Sequence, residues 1–194
     1  MTYTSNKSYT TYKKNHGGYR NLLSFQTTTI IYDLTVLFCK SCMTYKTSPS
    51  YRTVDQMIQA ARSGRQNIAE GSQASATSDK TEIKLVGVAR ASLEELLNDF
   101  LDYLRQNNLK TWTKDDPKAI AVRKLGYTSN RSYKTYQSYL NTPEDFANTI
   151  ICLIHQANYL LDRQLQSLEK KFIEQGGFTE NLLKRRLEFR KKKL

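Results

Sequence analysis

Hydrophobic residues recur at helical spacing in two long stretches of the chain. Across residues 79–107 they fall three or four positions apart, which predicts one long helix with a wide apolar stripe. Asp79 and Glu82 form a capping-box-like start to this helix. A second long helix is predicted to begin at Thr142, whose hydroxyl can cap free backbone amides, and to stop at Gly176.

Two further helices are predicted in the first half of the chain. One covers about 51–70 and ends at Gly71, which leaves 72–78 as a short turn. The other covers about 23–45, with Ser48-Pro49 as its stop. Its β-branched segment 27–31 favours a strand by propensity alone, but the apolar residues around it keep helical spacing.

These four helices predict an all-α fold, an up-down-up-down four-helix bundle over residues 21–177. A basic aromatic arm precedes it at 1–20, a loop insert separates the third and fourth helices at 107–142, and a basic tail follows at 178–194. Residues 1–20 lack an apolar signal core and no run is long enough to cross a membrane, so we expect a cytoplasmic protein.

The net charge of +12 is concentrated outside the predicted bundle. Residues 1–50 carry a net charge of +5, residues 105–139 carry +6 and residues 178–194 carry +5, which leaves −4 for the remainder. Such uneven charge favours a polyanionic partner over uniform solubilisation.

Basic and aromatic residues alternate in these charged segments, a pattern typical of nucleic-acid binding. Cations neutralise phosphates, and ring faces stack on unpaired bases. The predicted contacts are Lys13, Lys14, Arg20, Trp112, Arg123, Lys124, Arg131, Tyr133, Lys134, Tyr136, Lys184, Arg185, Arg186, Arg190, Lys191, Lys192 and Lys193. The alternative is that these segments are flexible and only solubilise the chain.

One repeat links the arm to the insert. Residues 3–12 and 127–136 are identical at eight of ten positions, and Lys7 corresponds to Arg131. Both copies are polar, basic and aromatic, and we expect neither to bury a face.

The sequence offers little support for catalysis, a metal or a cofactor. His16 and His155 are the only histidines, and neither follows a glutamate at the spacing of a di-iron bundle. Cys39 and Cys42 have redox spacing but fall inside a predicted helix, so we expect inert buried thiols. We therefore expect a protein that is not an enzyme.

The stretch 60–72, with its Asn-Ile-Ala-Glu-Gly segment, and the stretch 88–96 together resemble a known family. It comprises the bacterial four-helix-bundle proteins of ribosomal RNA intervening sequences and the accessory variability protein of diversity-generating retroelements. The resemblance implies a homopentamer with a basic nucleic-acid-binding surface and no catalytic residues. The wide stripe of 79–107 also favours self-association through bundle helices.

Asn67, Glu70 and Gly71 belong to that segment. We expect a structural turn, in which Asn67 and Glu70 hydrogen-bond to neighbouring groups and Gly71 adopts a left-handed cap; a contact surface is the alternative.

The sequence thus predicts a non-catalytic, oligomeric scaffold that binds RNA or single-stranded DNA. The alternative is a protein-interaction module that docks a reverse transcriptase or similar partner in a diversity-generating retroelement.

Overall fold

The computed structural model describes residues 18–43 and 51–192, and every regular element within these ranges is helical. The α-helices are α1 (Leu23–Ser41), α2 (Tyr51–Ala74), α3 (Asp79–Gln106), α4 (Pro117–Leu125), α5 (Pro143–Gln175) and α6 (Phe178–Lys191). Short 3₁₀ helices cover Gly18–Asn21 and Tyr133–Tyr139. The all-α prediction is confirmed, and the strand alternative for 27–31 is wrong. Lys13, Lys14, Lys193, the first repeat copy and the Ser48-Pro49 stop lie outside the described residues.

Four long helices pack in a closed ring, in which α1 contacts α2, α2 contacts α3, α3 contacts α5 and α5 contacts α1. Ser24, near the start of α1, donates to Gln164 in the second half of α5 at 2.9 Å. Phe38, near the end of α1, meets Phe146 at the start of α5 with ring centroids 5.3 Å apart. Helices α1 and α5 therefore run antiparallel.

Two more neighbouring pairs, α3 with α5 and α2 with α3, are also antiparallel. Asp79 at the start of α3 accepts from Lys171 near the end of α5 at 3.3 Å, and Arg90 pairs with Asp162 at 2.9 Å. Between α2 and α3, Gly64 lies close to Leu93, whereas Gly71, later in α2, lies close to Leu85, which is earlier in α3.

Phe38 is the centre of the aromatic part of the core. Its ring contacts Phe100, Tyr103 and Phe146 edge to face, with centroids 4.8–5.3 Å apart. Edge-to-face pairs at this distance add to the stabilisation that burial itself provides. These contacts join α1, α3 and α5 at one level.

The wide apolar stripe of α3 is used inside the chain. Val86, Leu93, Leu96, Phe100 and Leu104 are all fully buried. The stripe is wide because α3 packs against both α2 and α5. The width of the stripe is therefore explained by packing within one chain and is not evidence for an interface between two chains.

The predicted turn at Asn67, Glu70 and Gly71 is wrong, because α2 continues through these residues to Ala74. Asn67 donates its side-chain amide to the Ser63 carbonyl one turn earlier at 2.9 Å, and Glu70 is exposed. A Cβ at Gly71 would lie 3.3 Å from the Leu85 Cβ. Gly71 thus permits close approach of α2 and α3 and does not end a helix.

The ends of α3 and α5 are fixed by local hydrogen bonds. The cap of α3 is Ser78, one residue before the predicted start, and its hydroxyl accepts from the Thr81 amide at 3.2 Å. The predicted cap of α5 is confirmed, since Thr142 accepts from the Asp145 amide at 3.1 Å. Gly176 ends α5 with φ of +70°, a conformation that glycine adopts without strain.

Two segments predicted without regular structure are helical. The insert contains α4 and the second 3₁₀ helix, and the tail forms α6. None of the helices in the described ranges has both the length and the apolarity that a membrane span requires.

Two helical glycines give a matched test of the α2–α3 contact. A Cβ at Gly64 would lie 2.8 Å from a methyl of buried Leu93, whereas a Cβ at Gly87 would meet nothing within 4 Å. Gly87→Ala should raise the free energy of unfolding by about 0.5–1 kcal/mol, because alanine favours a helix. Gly64→Ala should instead lower it by about 1–3 kcal/mol through overpacking. Urea unfolding followed by circular dichroism measures both, and equal gains would contradict the close contact.

Candidate nucleic-acid-binding site

Asn148 on α5 anchors the first part of the insert. Its side chain is buried, and its Oδ1 accepts from the Trp112 backbone amide at 2.7 Å. Its Nδ2 donates to the carbonyls of Lys110 at 2.8 Å and of Glu144 at 2.9 Å. One amide therefore satisfies two backbone groups of the insert, and the segment lies against α5 instead of extending into solvent.

Three rings predicted to stack on bases are turned toward the protein. Tyr136 is 0% exposed, and Trp112 and Tyr133 are half-buried against the core. The Lys118 ammonium lies 5.8 Å from the centroid of the Trp112 ring and is bound by the Asp145 carboxylate at 2.7 Å. The stacking role predicted for Tyr136 is wrong, and Trp112 and Tyr133 serve packing with much of their surface.

The second copy of the repeat folds. Tyr133–Tyr139 forms a 3₁₀ helix, and at its start the Ser132 backbone amide donates to the Thr135 hydroxyl at 3.1 Å. The prediction that this copy cannot bury a face is wrong, because Tyr136 reaches the core. Burial raises the pKa of the Tyr136 phenol, and the nearby Arg131 guanidinium offsets only part of that rise.

A pocket of about 430 Å³ opens where the insert meets α1 and α5. Its charged lining consists of Arg123 near the end of α4 and Arg131 in the following loop. Leu23, Cys152 and Leu160 provide apolar wall. The aromatic lining comprises Tyr127, His155 and Tyr159. We call this the insert pocket.

Both guanidinium groups of the insert pocket are held by neutral oxygen atoms. Arg123 donates to the Lys114 carbonyl, and Arg131 donates to the Thr27 hydroxyl at 3.5 Å. Arg131 follows Asn130, whose φ of +55° lies in the left-handed region that asparagine tolerates. Within the described ranges neither guanidinium forms an ion pair with a carboxylate, so both retain charge for an anion.

Two tyrosines of the insert pocket present their rings to solvent, since Tyr127 is 90% exposed and Tyr159 is 62% exposed. The turn before Tyr127 packs tightly, because a Cβ at Gly126 would lie 2.7 Å from the Gln156 side chain. Gln156 in turn donates to the Arg123 carbonyl at 3.0 Å. The end of α4 is therefore fixed against α5, and Tyr127 extends from a rigid turn.

The remaining predicted contact residues within 18–43 and 51–192 are exposed but lie outside the insert pocket. Arg20 lies 5.2 Å from the centroid of the Tyr19 ring, and Lys124 and Lys134 are on the surface of the insert. The other predicted cations of the described residues are Lys184, Arg185, Arg186, Arg190 and Lys191 on α6 and Lys192 directly after it. The structure thus brings together Arg123 and Arg131 and separates them from the tail.

Sequence reasoning missed His155 and Tyr159 as pocket residues. One signal was available in the pattern of α5, whose buried face includes Ile154, Ala157 and Leu161. Tyr159 falls between these positions and on the outward face, where a large ring has no packing role. The pattern therefore indicates that the Tyr159 ring faces away from the core.

The cysteines do not form a reactive pair. Cys39 is buried in α1, and burial raises the pKa of its thiol to about 12. Burial also raises the pKa of Cys152 to about 11, although the Arg123 charge opposes the shift. Within residues 18–43 and 51–192, no three His, Cys, Asp or Glu side chains are grouped so that they could hold a metal ion.

Comparisons of this chain with protein-family models, with curated proteins and with solved structures find no match. The family membership that residues 60–72 and 88–96 suggest therefore stays a prediction.

Replacing Asn148 tests whether it holds the insert. Asn148→Ala would leave a backbone amide and a carbonyl without their partner, so the free energy of unfolding should fall by about 1–3 kcal/mol. Trp112 is the only tryptophan, so its fluorescence reports directly on the insert and should shift to the red. Asn141→Ala is the control, because Asn141 is exposed and donates only to the Ser138 carbonyl at 3.3 Å. Unchanged emission in Asn148→Ala would contradict the anchoring role.

Proposed function

We propose that this protein is a non-catalytic, cytoplasmic scaffold that binds RNA or single-stranded DNA. The observation that supports this most is the insert pocket, where Arg123 and Arg131 accompany the exposed rings of Tyr127 and Tyr159. Cations without carboxylate partners attract phosphates, and exposed ring faces stack on unpaired bases. A duplex, whose bases are already stacked, could use only the cations.

The proposed scaffold is an up-down-up-down four-helix bundle of α1, α2, α3 and α5. The closed ring of contacts supports this arrangement, as do the antiparallel side-chain contacts in three of its four pairs. Since α1 is antiparallel to α5, α5 to α3 and α3 to α2, the pair α1 and α2 must also be antiparallel.

Charge on opposite edges of the ring favours one orientation of a polyanion. The insert pocket lies on α1 and α5, whereas a groove between α2 and α3 is lined by Glu95 and Asp99. Burial raises the pKa of Asp99, and the charges of Asp102 and Glu95 raise it further. These carboxylates would repel phosphates from the α2–α3 groove itself.

Helix α6 supplies a second basic surface. Five exposed cations in 14 residues give it a high charge density, and it carries only Glu180 and Glu188 as acids. Its role in the proposal is long-range attraction to phosphates, with no sequence preference.

Self-association, and the pentamer that the family resemblance implies, are part of the same proposal. The α3 stripe does not support it, but α6 exposes Leu182, Leu183 and Leu187, each about half accessible. Leucines four residues apart on one helix face can pack against a second copy.

The same leucines favour a second candidate function, which is docking onto a protein partner such as a reverse transcriptase. In that case the cations of α6 would contact acidic residues of the partner. Self-association and docking predict different masses for the isolated protein.

The dependence of binding on salt tests the nucleic-acid proposal. For single strands the slope of log affinity against log salt should be about −0.7 for each phosphate neutralised. Replacing Lys184, Arg185 and Arg186 by Ala should weaken binding and reduce the slope by about 2 if all three contact phosphates. Fluorescence anisotropy with single-stranded and duplex probes measures both.

The matched control removes three exposed cations from α2 and α3, with Arg52, Arg62 and Lys84 replaced by Ala. This variant should keep most of the wild-type slope. If the wild type retains neither probe at about 50 mM salt, where phosphate contacts are strong, the nucleic-acid proposal is overturned.

Light scattering tests self-association. The wild-type protein at micromolar concentration should have the mass of an oligomer, and that of five chains if the pentamer is correct. Replacing Leu183 and Leu187 by Gln should lower the mass if α6 mediates assembly. A monomeric wild type would contradict the oligomer and favour a protein partner for the α6 leucines.

A further inference from the structure

The insert pocket combines two features that a surface for phosphates alone does not need. It has an apolar wall, formed by Leu23, Cys152 and Leu160, and it has two arginines in its lining. An inorganic anion would use the arginines but would leave the apolar wall in contact with water. A ligand with a flat ring and an attached anion would use both.

We propose that the insert pocket binds one unpaired nucleotide of a single strand, a deepening that rests on the proposed function. The base lies between the rings of Tyr127 and Tyr159 and the apolar wall, and its phosphate is bound by Arg123 and Arg131. The rest of the strand is held through phosphates elsewhere on the surface.

The size of the insert pocket fits this ligand. A volume of about 430 Å³ falls within the range of roughly 300–1,000 Å³ that is typical of small-molecule sites. This is room for one nucleotide but not for a base pair with its backbone. Only an unpaired base can place its ring face against protein side chains, so duplex binding gains nothing from the insert pocket.

The arginines are arranged in advance of binding. Arg123 is held by the Lys114 carbonyl, and Arg131 by the Thr27 hydroxyl. Each hydrogen bond uses one part of the planar guanidinium and leaves other N–H groups for phosphate oxygens. Arg123 therefore loses less conformational freedom when a phosphate binds, whereas the 3.5 Å contact restrains Arg131 more weakly.

The rings differ in the elements that carry them. Tyr159 projects from the middle of α5, and Tyr127 from the turn that follows α4. The turn is fixed by the contact of Gly126 with Gln156. Because the two rings are on separately anchored elements, they can flank a base. A single ring on a flexible loop could not do so.

A ten-nucleotide strand with a single 2-aminopurine tests the proposal, because the emission of this base falls when it stacks on a ring. The wild-type protein should bind the strand and quench the emission. Tyr127→Ala and Tyr159→Ala should each weaken binding by about 5–150-fold and reduce quenching, the range expected when one stacked ring is lost. Tyr127→Phe and Tyr159→Phe keep the ring and should behave like the wild type.

Replacing the arginines tests whether they bind the phosphate of the nucleotide. Arg123→Gln and Arg131→Gln should weaken binding and lower the salt slope by about 0.7 each. Arg123→Lys and Arg131→Lys keep the charge but lose the planar fork, so they should retain the slope at reduced affinity. Trp112 emission checks that every variant is folded.

Competition separates a nucleotide from a simple anion. Adenosine monophosphate should restore the 2-aminopurine emission at concentrations where inorganic phosphate does not. If phosphate competes equally well, or if the Tyr→Ala variants bind and quench like the wild type, the nucleotide pocket is overturned while salt-dependent binding leaves the proposed function standing. If the wild type does not bind the strand at all, both proposals fail.

Discussion

The hydrogen bonds of Asn148 are the constraint on which the insert depends. A segment with the length and polarity of 107–142 would ordinarily extend into water, because its backbone groups need partners. Asn148 supplies them from inside α5 and lets Trp112 pack against the core. Once this part of the chain is fixed, α4 must pack against α5, and Arg123 reaches the edge of the insert pocket.

The ring of four long helices and the insert are stabilised by different means. The ring depends on apolar burial around Phe38 and on close helix approach at Gly64. The insert depends on polar contacts, which include Asn148, the Lys118–Asp145 ion pair and the Gln156 amide. Apolar packing depends on the complementary shape of the side chains, whereas hydrogen bonds also fix direction. This division suits a site whose cations and rings must keep their orientation.

Much of the fold could be predicted from the sequence, because α3 and α5 have long periodic stripes and local caps such as Thr142. Gly71 was misjudged because glycine marks both helix ends and close helix contacts, and only the position of α3 decides between them. The sequence predicted Arg123 and Arg131 as residues of the candidate site, but it did not predict which aromatic rings face solvent. Tyr127 and Tyr136 stand nine positions apart in one repeat, yet one is 90% exposed and the other 0%. Composition cannot separate a ring that packs from a ring that binds.

The difference in exposure between Tyr127 and Tyr136 shows how the repeat copy at 127–136 is attached to the rest of the protein. Tyr136 is buried at its end, and the Ser132–Thr135 hydrogen bond keeps the 3₁₀ helix in place behind it. Arg131 lies between the buried Tyr136 and the exposed Tyr127 in the sequence, and it follows Asn130, which is in a left-handed conformation. Ordering a free loop around a ligand costs about 1–2 kcal/mol for each residue fixed. Here folding has already ordered the segment, so a cation and a ring are presented without that cost. This polar segment is thus ordered because one of its own rings is buried in the core.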